Sequence, residues 1–101
     1  MKLWLDDERP APEGWVHETW ASDAIEQLQT RNVTHLSLDH DLGCNPRCGS
    51  GYDVCIWLEQ TIVEDPTFPL PIVTLHTANP VGRQNMQRVL DSITRRLDSS
   101  R

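Results

Sequence analysis

Leu5-Asp6-Asp7-Glu8-Arg9, Leu38-Asp39-His40-Asp41-Leu42-Gly43 and Leu75-His76-Thr77-Ala78-Asn79-Pro80 decide how this chain is read. Each follows a short apolar run of the kind a buried strand presents, and each sets acids, imidazoles or small polar residues just beyond it. In an open α/β sheet the carboxyl ends of parallel strands gather along one edge, where ligands bind. Three distant segments are therefore expected to meet in one crevice.

The rest of the chain supports that layout. Lys2 to Leu5 and Trp15 to Thr19 read as strands, joined by a loop holding Pro10, Pro12 and Gly14. That connection is short for a parallel crossover, which usually needs a dozen or more residues. A helix is predicted from about Asp23 to Arg31, capped by Ser22 or Thr19, with Ala24, Ile25 and Leu28 inward. Val33 to Leu38 reads as the third strand and Asp41 to Gly51 as a loop that could cover a pocket. Tyr52 to Val63 reads as a helix with Cys55, Leu58 and Ile62 on its inner stripe, flanked by Ile56 and Val63. Ile72 to Leu75 is the fourth strand. Asn79 caps a final helix with Pro80 at its first position and Met86, Leu90, Ile93 and Leu97 along its seam. Residues 98–101 are expected to fray.

These elements predict a single α/β domain over residues 1–101 with a mainly parallel sheet of about four strands and about three helices. Fifteen acidic against nine basic side chains give a net charge of −6, which argues against general duplex DNA binding. No apolar stretch approaches membrane-spanning length and the N-terminus lacks a signal-like apolar region, which predicts a cytoplasmic protein with no membrane association. Three clustered cysteines, Cys44, Cys48 and Cys55, are an odd set and a poor disulfide framework. His40, Cys44 and Cys48 offer a weak zinc pattern, without the two spaced ligand pairs such sites usually show. Lys2 is the only lysine.

Asp6, Asp7 and Asp39 are hard oxygen donors of the type Mg²⁺ or Mn²⁺ prefers, and crowded together they would repel without a cation. The alternative is that Asp6 and Asp7 close a turn and Asp39 merely ends a strand. Asp41 either shares the face of Asp39 or belongs to the following turn. His76 is the first choice for proton transfer and His40 the second, with a hydrogen-bonded core role open for both. His17 and His35 read as strand or surface residues. Thr77, Asn79, Gly82 and Arg83 gather at a helix start suited to phosphate, where simple capping by Asn79 and a solvated Arg83 is the plainer reading. Arg9 either pairs with a carboxylate or touches the ligand. Tyr52 and Trp57 could stack on a base.

The acids after strand one, the aspartate after strand three and the hydroxyl after strand four resemble a receiver domain. There, two acids and a phospho-accepting aspartate hold Mg²⁺. A signalling receiver carries a lysine after its fifth strand, and this chain has none beyond Lys2. The strings LDDERPAP, LSLDHDLG, GYDV and HTANPVGRQNM look like the cyclic-phosphate-processing receiver-like family, from Leu5 to about Met86. The resemblance implies a small three-layer, flavodoxin-like receiver fold whose first helix is replaced by a loop. It implies a metal-dependent phosphoesterase acting on a cyclic phosphate of a nucleotide, ribose or RNA end, in RNA repair, nucleotide signalling or phage counter-defence. Two other functions stay open: sequestration of a cyclic nucleotide without cleavage, and a degenerate receiver serving as a protein-interaction module. Asp39 could be a metal ligand or a covalent phospho-acceptor.

Overall fold

The structure, a computed structural model, describes residues 1–42 and 47–99. Four strands, β1 (Lys2–Leu5), β2 (Trp15–Glu18), β3 (His35–Leu38) and β4 (Ile72–Leu75), form one sheet in the order β2-β1-β3-β4. All three pairings are parallel, with Lys2 opposite both Trp15 and His35, and His35 opposite Ile72. Three helices, α1 (Ala21–Gln29), α2 (Gly51–Glu64) and α3 (Pro80–Ser99), complete an α/β receiver-like fold. Among the described residues, no helix is long and apolar enough to cross a membrane.

Strand alternation sorts the sheet into two unlike faces. Leu3, Leu5, Leu36 and Leu38 lie fully buried on one. The steps β2→β3 and β3→β4 run the same way across the sheet, so right-handed crossovers put α1 and α2 on that same face. Helix α3 packs beside α2 and adds Met86, Val89 and Ile93 to the core. The other face carries Trp4, Trp15, His17, His35, Ser37 and Thr74. Among the described residues it has no helix, only the segment 6–14. The third layer expected from the receiver likeness is thus a loop.

That loop makes the short parallel crossover possible because it folds back along β1. The Trp4 indole Nε1 donates to the Arg9 carbonyl at 3.1 Å, and Trp15 N donates to the Pro12 carbonyl at 3.1 Å. Gly14 completes the turn at φ +85°, a conformation that favours glycine.

Helix boundaries differ from expectation in instructive ways. Helix α1 starts at Ala21, not Asp23, and neither Ser22 nor Thr19 caps it. Trp20 holds the N-cap position without a side-chain bond, and Ala21 N donates instead to the Cys48 carbonyl at 2.9 Å. A tertiary contact replaces the local cap. Helix α2 starts at Gly51 through a capping box: Ser50 N donates to Asp53 Oδ2 at 2.8 Å and Asp53 N to Ser50 Oγ at 3.4 Å. Its buried stripe takes in Val54, while Val63 is exposed, because Val54 and Leu58 share one face and Val63 turns away. Helix α3 continues through Asp98 and Ser99, where fraying was expected. The rest of that expectation, residues 100–101, lies outside the described residues, as do Gly43 and Cys44.

Candidate active site

Three residues occupy equivalent places, each the first past its strand. Asp6 follows β1 and its N donates to the Glu18 carbonyl, Asp39 follows β3 and donates to Leu5, and His76 follows β4 and donates to Leu38. The ladder thus runs one residue beyond each strand and aligns the three side-chain bases. Asp6, Asp7 and Asp39 each bring one carboxylate oxygen to a point where all lie within 4.8 Å of one another. Octahedral Mg²⁺ separates neighbouring ligands by roughly 3–4 Å, so a small closure would fit a hard cation here. Among the described residues no basic side chain is hydrogen-bonded to Asp39, and three carboxylates are the donor set such an ion takes.

The cluster opens on a cavity of about 260 Å³. Asp7, Glu8 and Arg9 form one wall, Asp39, Asp41 and Leu42 the second, and Thr77, Ala78 and Asn79 the third. Gly51 sets how closely this site sits on the helices: a Cβ there would lie 2.0 Å from the Asp39 carbonyl oxygen.

Asp6 is set back, only 1% exposed. Its Oδ1 accepts Glu8 N at 2.8 Å and Arg9 N at 3.0 Å, and its Oδ2 meets His76 Nε2 at 3.0 Å. Burial pushes this carboxyl up, but the two amides and the His76 ring more than offset it and hold it below the usual range. His76 is bonded on its far side to Ser37 Oγ, 2.7 Å from Nδ1, and its ring stacks on Trp4 at 3.9 Å and 6°. Burial lowers its pKa below the ordinary 6.5 despite the opposing pull of Asp6. The neutral ring must donate from Nε2, since a carboxylate only accepts, which leaves Nδ1 to accept from the Ser37 hydroxyl.

The remaining predicted residues divide between the cavity and its surroundings. Thr77 and Asn79 line it. Asn79 Oδ1 caps α3 through Gly82 N at 3.0 Å, while its Nδ2 donates to Asp41 Oδ2 at 3.1 Å. Asp41 Oδ1 accepts from His40 Nδ1 at 2.8 Å, and these two bonds, His40 first, hold the Asp41 carboxyl below its usual range. Gly82 is not on the cavity wall; it lets the His40 ring lie where a Cβ would come within 2.4 Å of it. Arg83 donates to the Leu75 carbonyl at 2.6 Å and is not among the cavity residues. Arg9 lines the cavity, and its guanidinium donates to the His76 carbonyl and not to a carboxylate. His76 itself stands behind Asp6. Cys55 is buried in α2, and Trp57 packs edge-on against Phe68 at 5.8 Å, while Tyr52 lies against the core.

Three participants escaped sequence reasoning. Ser37 and Trp4 hold His76, and His17 Nε2 donates to the Asp6 backbone carbonyl at 2.6 Å. A serine between two leucines of a buried strand was the available signal for the first. The stacking of Trp4 has no signature in the chain, because it depends on which residue the neighbouring strand ends bring alongside.

Residues 1–92 match the sequence model of the cyclic-phosphate processing receiver domain. The chain belongs to this family. No curated protein and no solved structure gives a significant match. Within the cyclic-phosphate processing receiver domain, the matched span covers every element through most of α3, so the carboxylate cluster, the cavity and the His76 network all fall inside it.

Proposed function

We propose that this receiver domain is a divalent-cation-dependent hydrolase that opens a cyclic phosphate on a nucleotide, ribose or RNA end. The observation that carries this reading is the meeting of Asp6, Asp7 and Asp39 within 4.8 Å at the mouth of a polar cavity. Mg²⁺ or Mn²⁺ held by these carboxylates would supply Lewis acidity and an acidified water. The only lysine, Lys2, opens β1 at the end of the sheet away from the acids, which argues against the phospho-switch chemistry of a signalling receiver.

The chain's own groups have separable tasks in this reaction. Arg9 and the Thr77 hydroxyl, on different walls, receive phosphoryl oxygens. Water attacks phosphorus, the bond to one ribose oxygen breaks, and that oxygen takes a proton as the monoester forms. Asp41, kept ionised by His40 and Asn79 on the cavity wall, takes the proton lost by the attacking water, and solvent protonates the departing ribose oxygen. His76 acts one step back, through Asp6. A cavity of about 260 Å³ is smaller than the roughly 300–1,000 Å³ that encloses a drug-sized ligand, which suits a cyclic phosphate and its sugar with the base left outside.

Phosphorus NMR tests the proposal on nucleoside 2′,3′-cyclic phosphates, ADP-ribose 1″,2″-cyclic phosphate and cyclic oligonucleotides with Mg²⁺ or Mn²⁺. Conversion of one resonance to a monoester, lost with EDTA and in Asp39→Asn, is the expected result. Shifted or broadened resonances without product would replace hydrolysis by sequestration, and no change at all would leave the interaction-module reading.

A further inference from the structure

The buried trio Ser37–His76–Asp6 has a geometry that bears on the cation site more than on the substrate. A carboxylate offers about four lone-pair positions. Two on Asp6 Oδ1 are taken by the amides of Glu8 and Arg9, and one on Oδ2 by His76. One position remains. Ser37 is 3% exposed and Asp6 1%, so neither water nor another side chain readily substitutes for these bonds. Trp4 fixes the plane of the imidazole, and its indole is tied in turn to the Arg9 carbonyl on the same loop. His76 is therefore held at both nitrogens, on one ring face, and through its own carbonyl by Arg9.

We propose that His76 is a positioning residue whose Nε2–H, locked by Ser37 and Trp4, orients Asp6 so that a single Oδ2 lone pair faces a divalent cation shared with Asp7 and Asp39. This inference rests on the cation reading above and assigns His76 no contact with substrate. Hydrogen-bonded outer partners of metal ligands commonly change affinity by 10–100-fold when removed.

Calorimetric titration of Mn²⁺ into the full chain separates the possibilities. His76→Phe keeps a ring to stack on Trp4 but removes the donor to Asp6, and should weaken Mn²⁺ about 10–100-fold. His76→Gln retains an N–H that can reach Asp6 and should stay much closer to wild type. Ser37→Ala, the milder change and the one to use if His76→Phe does not fold, should weaken binding by a smaller factor. Ile93→Val, a core change remote from Asp6, should leave affinity unaltered. Equal affinity in wild type and His76→Phe, or equal losses in the Phe and Gln variants, would overturn the positioning role. Absence of Mn²⁺ binding by wild type would instead overturn the cation site on which it rests. Nitrogen-detected NMR of the histidine side chains should show His76 as the Nε2–H tautomer, and the Nδ1–H tautomer would also refute the assignment.

Discussion

Gly51→Ala offers the sharpest test of how the site is mounted on the fold. Gly51 is the first residue of α2, where alanine would ordinarily gain roughly 0.5–1 kcal/mol over glycine. Its new methyl would meet the Asp39 carbonyl oxygen at 2.0 Å, the Asp39 carbonyl carbon at 3.0 Å and Met86 Sδ at 3.1 Å. Real Cβ contacts do not fall below 3.0 Å, so the two backbones must part by about 1 Å, and neither is the free end of a side chain. Overpacking of this kind costs typically about 1–3 kcal/mol. The clash outweighs the helical gain. Less the helical gain, the loss reaches about 2.5 kcal/mol, and at about 4–8 °C per kcal/mol for a domain near this size the melting temperature should drop by up to roughly 10–20 °C. Differential scanning calorimetry gives the answer, with Gly14→Ala as the comparison. Gly14 has open space around its missing Cβ, so that variant meets only the φ +85° penalty of about 1–2 kcal/mol. A Gly51→Ala protein as stable as wild type would refute the close approach of α2 to the Asp39 backbone.

Cys55 is fully buried and burial pushes its thiol up to about 12, so iodoacetamide should leave it unmodified in the native protein and modify it in urea, as peptide mass spectrometry can show. Arg31, two residues past α1, sits at φ 65° while its guanidinium reaches Asp65, the Thr67 carbonyl and the Phe68 ring. Arg31→Ala should therefore be less stable than Arg31→Gly by about 1–2 kcal/mol in urea titrations, since only glycine relieves the left-handed conformation. Stability should also depend on pH through His76. Its folded pKa lies below 6.5, so the unfolded chain binds the extra proton and stability declines as pH falls below about 6.5. Asp6, held below 3.8, adds a second loss at more acid pH, and His76→Gln should remove the first decline while leaving the second.

The strand ends were legible because composition changes abruptly there: Leu5, Leu38 and Leu75 are each followed by an acid or imidazole, and parallel pairing brings those positions to one edge. The parallel order could not be read from the nine residues of segment 6–14, which are too few for an ordinary crossover. What permits them is the folding back of the loop along β1, fixed by the Trp4 indole bond to the Arg9 carbonyl, which a strand-and-loop pattern does not announce. Arg83 and Gly82 illustrate the opposite limit. Their place at a helix start suggested phosphate, but Arg83 turns to the Leu75 carbonyl at the end of β4 and Gly82 makes room for His40. Sequence spacing located the helix turn and not the competition for its groups. The cap of α1 failed for the same reason, since Cys48 supplies an acceptor from another part of the chain.

Replacing a helical layer by segment 6–14 also changes the dielectric surroundings of the acids. A receiver with helices on both faces would bury its carboxylates in a thicker slab of low-polarity material. Here Asp7 and Asp39 stay half-buried beside an open sheet face, and solvent polarisation weakens their mutual repulsion. Only Asp6 is cut off from water, and it is the one carboxylate wrapped in two amides and an imidazole. Charge is thus desolvated only where hydrogen bonds compensate for it. On the cation reading proposed above, the protein should fold without the ion, so that chelation should abolish hydrolysis and leave the fold standing.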